Sequence, residues 1–105
     1  MTEEMVLVVR LRVEKSLRNA LRDHLIELFD RIRDEDTFLS ATVMEDIQDP
    51  EQLLVYEVWR ETFESFLANQ MSKPYRNKYE KLILDLKVER TPQLLKAVSS
   101  WRRQA

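Results

Sequence analysis

The sequence predicts an α+β protein in which a four-stranded antiparallel sheet carries its helices on one side. Alternating apolar residues mark strands at Met5–Val13, Phe38–Glu45 and Leu53–Trp59. A leucine stripe at helical spacing lies between the first two of these. The second and third are joined by a short acidic segment carrying the turn signal Asp49-Pro50. A further helix and strand after Trp59 complete a β-α-β-β-α-β order, the split β-α-β arrangement.

In the first strand, Met5, Leu7, Val9, Leu11 and Val13 share one face, while Val6, Val8, Arg10 and Arg12 share the other. One side is fully apolar and the other half apolar. The helix over Ser16–Arg33 carries Leu17, Leu21, Leu25, Leu28 and Ile32, with Phe29 beside them and Ser16 as N-cap. Asp34 to Asp36 is a charged turn. The third strand alternates Leu53, Val55, Glu57 and Trp59 against Leu54, Tyr56 and Val58. Glu61 or Thr62 opens a short helix with Phe63, Phe66 and Leu67, and Pro74 favours a fresh helical start.

The last third has two readings. Tyr75, Tyr79, Leu82, Ile83 and Leu86 recur at helical spacing, which extends a helix to about Val88, ends it at Thr91-Pro92 and leaves Leu94–Trp101 as the fourth strand. Alternatively, Leu84–Arg90 is the strand and Pro92–Arg103 a helix capped by Thr91. The first keeps the tyrosines on one continuous helix and is preferred.

One helix layer covers one sheet face. Val6, Val8, Leu39, Ala41, Val43, Leu54, Tyr56 and Val58 are expected on the bare one. That face needs a partner, so a homodimer closing a barrel is expected.

At 105 residues the chain reads as one domain, 1–105. Its net charge of −2 offers no basic surface for nucleic acid or an anionic membrane. Arg10 and Arg12 break the N-terminal apolar run, so neither a signal peptide nor a membrane span is expected there. The absence of cysteine excludes disulfides and thiolate chemistry, and a cytoplasmic location fits. The chain has no glycine, which excludes glycine-rich phosphate loops and dinucleotide fingerprints. A single histidine, His24, makes a histidine metal site improbable. His24 sits at the edge of the leucine stripe, where a boundary role outweighs that of a general base. The acidic turn with Asp46, Asp49 and Glu51 reads as solvated, since its spacing is not that of a calcium loop. Glu57 lies on an apolar strand face and needs a partner, with Arg10, Arg12, Arg60 or Arg76 available. A structural ion pair is the first reading. A catalytic carboxylate with a raised pKa is the second.

The stretch Thr37–Tyr79, TFLSATVMEDIQDPEQLLVYEVWRETFESFLANQMSKPYRNKY, carries a strand, a DP turn, a strand ending YEVW and a helix entry. This order resembles the antibiotic biosynthesis monooxygenase family, small dimeric α+β barrel proteins with a ferredoxin-like protomer. The resemblance implies a ligand cleft between the sheet and the second helical segment, lined from Trp59 to Tyr79. The family's characterised oxygenases use neither metal nor organic cofactor, so none is expected. The implied substrate is a planar aromatic or quinol-like small molecule. Catalytic roles fall to Asn69 and Arg76 as oxyanion donors and to Tyr75 as hydrogen-bond donor or proton relay. Trp59, Phe63, Phe66, Met71 and Tyr79 would bind substrate, Trp59 by stacking.

Some relatives carry histidines where this chain has Asn69 and Pro74 or Tyr75. The haem-degrading branch carries a tryptophan and a histidine where it has Phe66 and Arg76, which argues against haem degradation. The lost histidines keep a second function in play, a non-catalytic small-molecule-binding or assembly module of the same barrel. A cavity between sheet and second helix favours the ligand reading; a filled core favours assembly.

Overall fold

The computed structural model describes residues 4–104. Strand β1 (Met5–Arg12) leads through a 3-10 turn (Lys15–Leu17) into helix α1 (Arg18–Ile32). Strands β2 (Phe38–Glu45) and β3 (Gln52–Trp59) form a hairpin. Helix α2 (Phe63–Asn69), a second 3-10 turn (Pro74–Arg76), helix α3 (Asn77–Asp85) and strand β4 (Glu89–Leu95) follow. The sheet order is β2-β3-β1-β4, with every neighbouring pair antiparallel. This is the ferredoxin-like α+β fold.

Periodicity sets the core. Leu21, Leu25, Leu28 and Ile32 are buried on one side of α1, against Leu7, Val9, Leu11, Leu53 and Val55 on the inner sheet face. Truncating such a leucine to alanine costs about 2–5 kcal/mol. An aromatic row continues the core: Phe29 to Phe38 at 6.5 Å between ring centroids, Phe38 to Trp59 at 5.3 Å and Trp59 to Phe66 at 5.3 Å. Both Trp59 contacts are edge-on, the favoured aromatic geometry.

The helix starts differ in how they are held. Thr62 caps α2 through a reciprocal box: its Oγ1 accepts from the Ser65 amide and Ser65 Oγ accepts from the Thr62 amide, each at 3.1 Å. Ser16 does not cap α1, contrary to expectation. It lies inside the 3-10 turn and its hydroxyl donates to Glu14, while α1 begins at Arg18 without a side-chain cap.

Three expectations need correction. A bulge between Phe38 and Ser40 inserts Leu39 and shifts the alternation of β2. Ala41 and Val43 therefore pair with Glu57 and Val55 on the inner side, and the bare face instead receives Ser40, Thr42 and Met44. Helix α3 stops at Asp85, short of Val88. Lys87 takes φ 54 in the left-handed region, the Val88 amide donates to the Ile83 carbonyl at 3.0 Å and the Lys87 amide to that of Leu84 at 3.1 Å. This is a Schellman stop, with lysine where glycine is usual. The fourth strand accordingly falls at Glu89–Leu95, between the two ranges read from sequence. Thr91 and Pro92 lie inside it rather than at a helix end; β4 is a sheet edge, where proline's missing donor is tolerated. Residues 96–104 form no helix or strand and leave Val98 and Trp101 exposed.

Candidate functional site

A cavity of about 210 Å³ lies between the inner sheet face and the helices. Leu7, Val9, Val55 and Glu57 form its floor, and Leu25, Leu28 and Phe29 of α1 one wall. Phe63, Phe66 and Leu67 of α2 form another, with Met71 beyond them. Arg76, Tyr79 and Glu80 close it with Arg90 and Pro92 of β4. A cavity of about 150 Å³ accommodates benzene, so this one suits one or two rings. It is an apolar space with a few polar groups converging on it, the usual character of a ligand site.

Arg76 is the most unusual of those groups. Pro74 fixes the first residue of its 3-10 turn, and Arg76 itself is only 6% exposed. Its Nη1 contacts Met71 Sδ at 3.7 Å and its guanidinium lies 5.6 Å from the Phe66 ring centroid. Nε and Nη2 have no hydrogen-bond partner, and no carboxylate forms an ion pair with Arg76 among the described residues. Leaving a buried charged donor unpaired is expensive.

Glu57 is also 6% exposed and lies opposite Leu7 on the inner face. Its Oε1 accepts from Trp59 Nε1 at 3.0 Å. Burial pushes the carboxyl above the ordinary range, partly offset by that bond and by the Arg76 charge. The expected ion pair is thus replaced by an indole donor and a neighbouring cation. Arg10 and Arg12 alternate onto the opposite sheet face, and Arg60 is exposed.

The other cavity groups are less free to act. Burial pushes the Tyr79 hydroxyl up to about 12, so it remains a proton donor. Glu80 and Arg90 satisfy each other through two bonds of 2.8 Å. Arg90 is hidden as a site residue in the sequence because its segment reads as the end of a helix; only its placement on β4 brings it to the cavity.

Of the residues named from sequence, Phe63, Phe66, Met71, Arg76 and Tyr79 meet at the cavity. Trp59, Asn69 and Tyr75 do not line it. Trp59 is fully buried behind Glu57. Asn69, itself exposed, reaches Glu61 at 3.4 Å, within a part-buried cluster where Thr37 also donates to Glu61 at 2.8 Å. Burial pushes the Glu61 carboxyl up, but donors from Thr37, Asn69, Ser65 and Gln70 outweigh it and hold it below the usual range. Tyr75 donates to Glu35 at 2.9 Å beneath Arg31, away from the cavity. His24 is half-buried and outside the lining. The acidic turn is closed by its own backbone bonds and by Arg12, which reaches Asp49 at 2.7 Å.

Fold and cavity together define a small α+β domain with a largely apolar cavity between sheet and helices. Residues 5–78 match the model of the antibiotic biosynthesis monooxygenase family, and the chain belongs to that family. No curated protein matches it significantly. Among solved structures it resembles a Pseudomonas aeruginosa protein with a TM-score of 0.82 and 17% identity, covering 94% of this chain and 98% of that one. A Mycobacterium tuberculosis protein gives 0.78 at 19% identity, covering 92% and 97%. SnoaB, a cofactor-independent oxygenase from Streptomyces nogalater, gives 0.75 at 14% identity, covering 96% and 99%. Identities this low establish the fold alone. No helix among the described residues is long and apolar enough to cross a membrane.

Proposed function

We propose that the protein is a cofactor-independent monooxygenase acting on a planar aromatic of one or two rings that carries an ionisable hydroxyl, such as a naphthol or hydroquinone. The observation that carries this reading is the unpaired Arg76 guanidinium in a predominantly apolar cavity. Such a site favours a flat ligand bearing one anionic oxygen. Membership of the family and the fold shared with SnoaB support the reaction type.

The substrate supplies the electrons. Loss of the hydroxyl proton gives an aryloxide, held by the free N–H groups of Arg76. The aryloxide passes one electron to O2, and the radical and superoxide recombine at a hydrogen-bearing ring carbon ortho or para to the oxygen. The peroxide takes up a proton and loses water, leaving a quinone. For a naphthol the balance is naphthol plus O2 giving naphthoquinone plus water. The cavity's part is to exclude bulk water, align the ring and stabilise the anion. Asn69 and Tyr75 act at a distance in this scheme, holding the α2–α3 segment through Glu61 and Glu35.

The open cavity supports ligand binding over a pure assembly role. The same reading includes a homodimer, because the uncovered sheet face presents Val8, Leu54, Tyr56, Val58 and Met44 to a partner. The test is oxygen uptake by metal-free protein on a panel of hydroquinones, naphthols and anthrones. Protein-dependent uptake that Arg76→Met abolishes is expected, with one- and two-ring compounds preferred over anthrones. Uptake unchanged in Arg76→Met would remove the site assignment.

A further inference from the structure

We infer that Glu57 is the proton acceptor of this cavity, so that a phenolic ligand is bound as its anion before oxygen takes part. The inference rests on the ligand class proposed above but not on the oxygenation. The step is a single proton transfer: the aryl O–H bond breaks, a carboxyl O–H forms on Glu57, and the aryloxide oxygen is left facing Arg76.

The argument is one of geometry and elimination. Glu57 and Arg76 line the same cavity, each nine-tenths buried, from opposite sides: Glu57 on the sheet, Arg76 on the segment that covers it. The only side-chain hydrogen bond of Glu57 among the described residues is the one from Trp59 to Oε1, which leaves Oε2 without a protein partner. The other titratable or charged groups at the cavity are Tyr79, Glu80 and Arg90, from α3 and β4; α1 and α2 contribute only apolar side chains. Tyr79 keeps its proton far above neutrality. Glu80 is held by Arg90 through both oxygens. His24 lies outside the lining. Of the two carboxylates Glu57 alone keeps an oxygen to which no protein group donates, and burial moves its carboxyl toward the working range of a base.

Trp59 then has a positioning role rather than a stacking one. Its indole is fixed edge-on between Phe38 and Phe66, each at 5.3 Å, and its Nε1–H points the carboxylate. The sequence YEVW thus carries the base and the residue that aims it two positions apart, on the same face of β3.

The test is an anaerobic absorbance titration of 1-naphthol, 2-naphthol and hydroquinone at pH 7, where each is neutral in water. Wild-type protein should show the ionised spectrum of at least one probe at saturation. Glu57→Gln retains the carbonyl that accepts from Trp59, and it should bind that probe in its neutral form. Arg76→Met should weaken binding by roughly tenfold or more and lose the ionised spectrum. Should Glu57→Gln fail to fold, Glu57→Asp serves instead: the pH midpoint for ionisation of the bound probe should move. An unmoved midpoint overturns the inference. So does an ionised spectrum that survives in Glu57→Gln, or the absence of one with every probe. Admitting air separates the two proposals, because an ionised ligand that consumes no oxygen removes the oxygenase reading and leaves Glu57 as the acceptor.

Discussion

Replacing Arg76 with methionine should make the ligand-free protein more stable. Arg76 is 6% exposed, with Nε and Nη2 unpaired. Each buried unpaired donor costs about 1–3 kcal/mol, more when charged. Methionine follows the same path past Phe66 and Met71 and buries no donor. Against this gain stands the loss of the cation–π contact with Phe66, worth about 0.5–2 kcal/mol. The net expectation is a gain of roughly 1–3 kcal/mol. That corresponds to a rise in Tm of about 4–14 °C for a domain of this size.

Urea denaturation with matched m-values is the assay, in wild-type and Glu57→Gln backgrounds. The gain should be larger in the Glu57→Gln background, because in the wild type removing Arg76 also strips the buried carboxylate of its neighbouring cation. The difference between backgrounds should exceed about 0.5 kcal/mol, the usual threshold for coupled neighbours. A loss of more than about 1 kcal/mol in both backgrounds would show that Arg76 is well paired without ligand, and the anion-site argument would fall.

Other expectations are as direct. Lys87→Gly should stabilise by roughly 0.5–1 kcal/mol in a thermal melt, since relief of the left-handed strain at φ 54 exceeds glycine's greater freedom in the unfolded chain. Thr62→Ala should cost about 1 kcal/mol and raise amide exchange across α2, because the box with Ser65 is lost. The Glu57 carboxyl is raised above its ordinary 4.5 in the folded chain. Below pH 4.5 both states hold the proton and stability from this group is complete. As pH rises from there to the raised value, the unfolded chain alone has released the proton and stability falls. Glu57→Gln should flatten that fall in denaturation curves taken across the acid range, and an unchanged slope would contradict the burial assigned to this carboxyl.

The parts of the fold legible in the sequence are those where one periodicity runs unbroken. In Met5–Val13, the leucines of α1 and Leu53–Trp59 the spacing is regular throughout, and the face it groups together is the one that enters the core. The parts that differ from expectation are local backbone events with weak sequence signals. A one-residue bulge at Leu39 turns Ala41 and Val43 inward. A left-handed Lys87 ends α3 where no glycine announces it. Pro92 reads as a stop although a sheet edge admits it. The site follows the same division. Phe63, Phe66, Met71, Arg76 and Tyr79 are close in sequence, so their grouping is visible there. Arg90 comes from a strand whose bounds depend on the Lys87 stop, and the bond from Trp59 to Glu57 needs the geometry of β3.

Strand β3 also sits between two surfaces. Glu57 faces the cavity, while its neighbours Tyr56 and Val58 face the uncovered side of the sheet. The two surfaces are therefore separated by one peptide unit on either side of a buried carboxylate. A protein seated on Tyr56 and Val58 and a molecule held by Glu57 press on the same backbone. Whatever factor the first applies to the affinity of the second, the second must return to the first. For the proposed homodimer and ligand, any coupling between association and occupancy is reciprocal, so each dissociation constant is to be measured with and without the other in place.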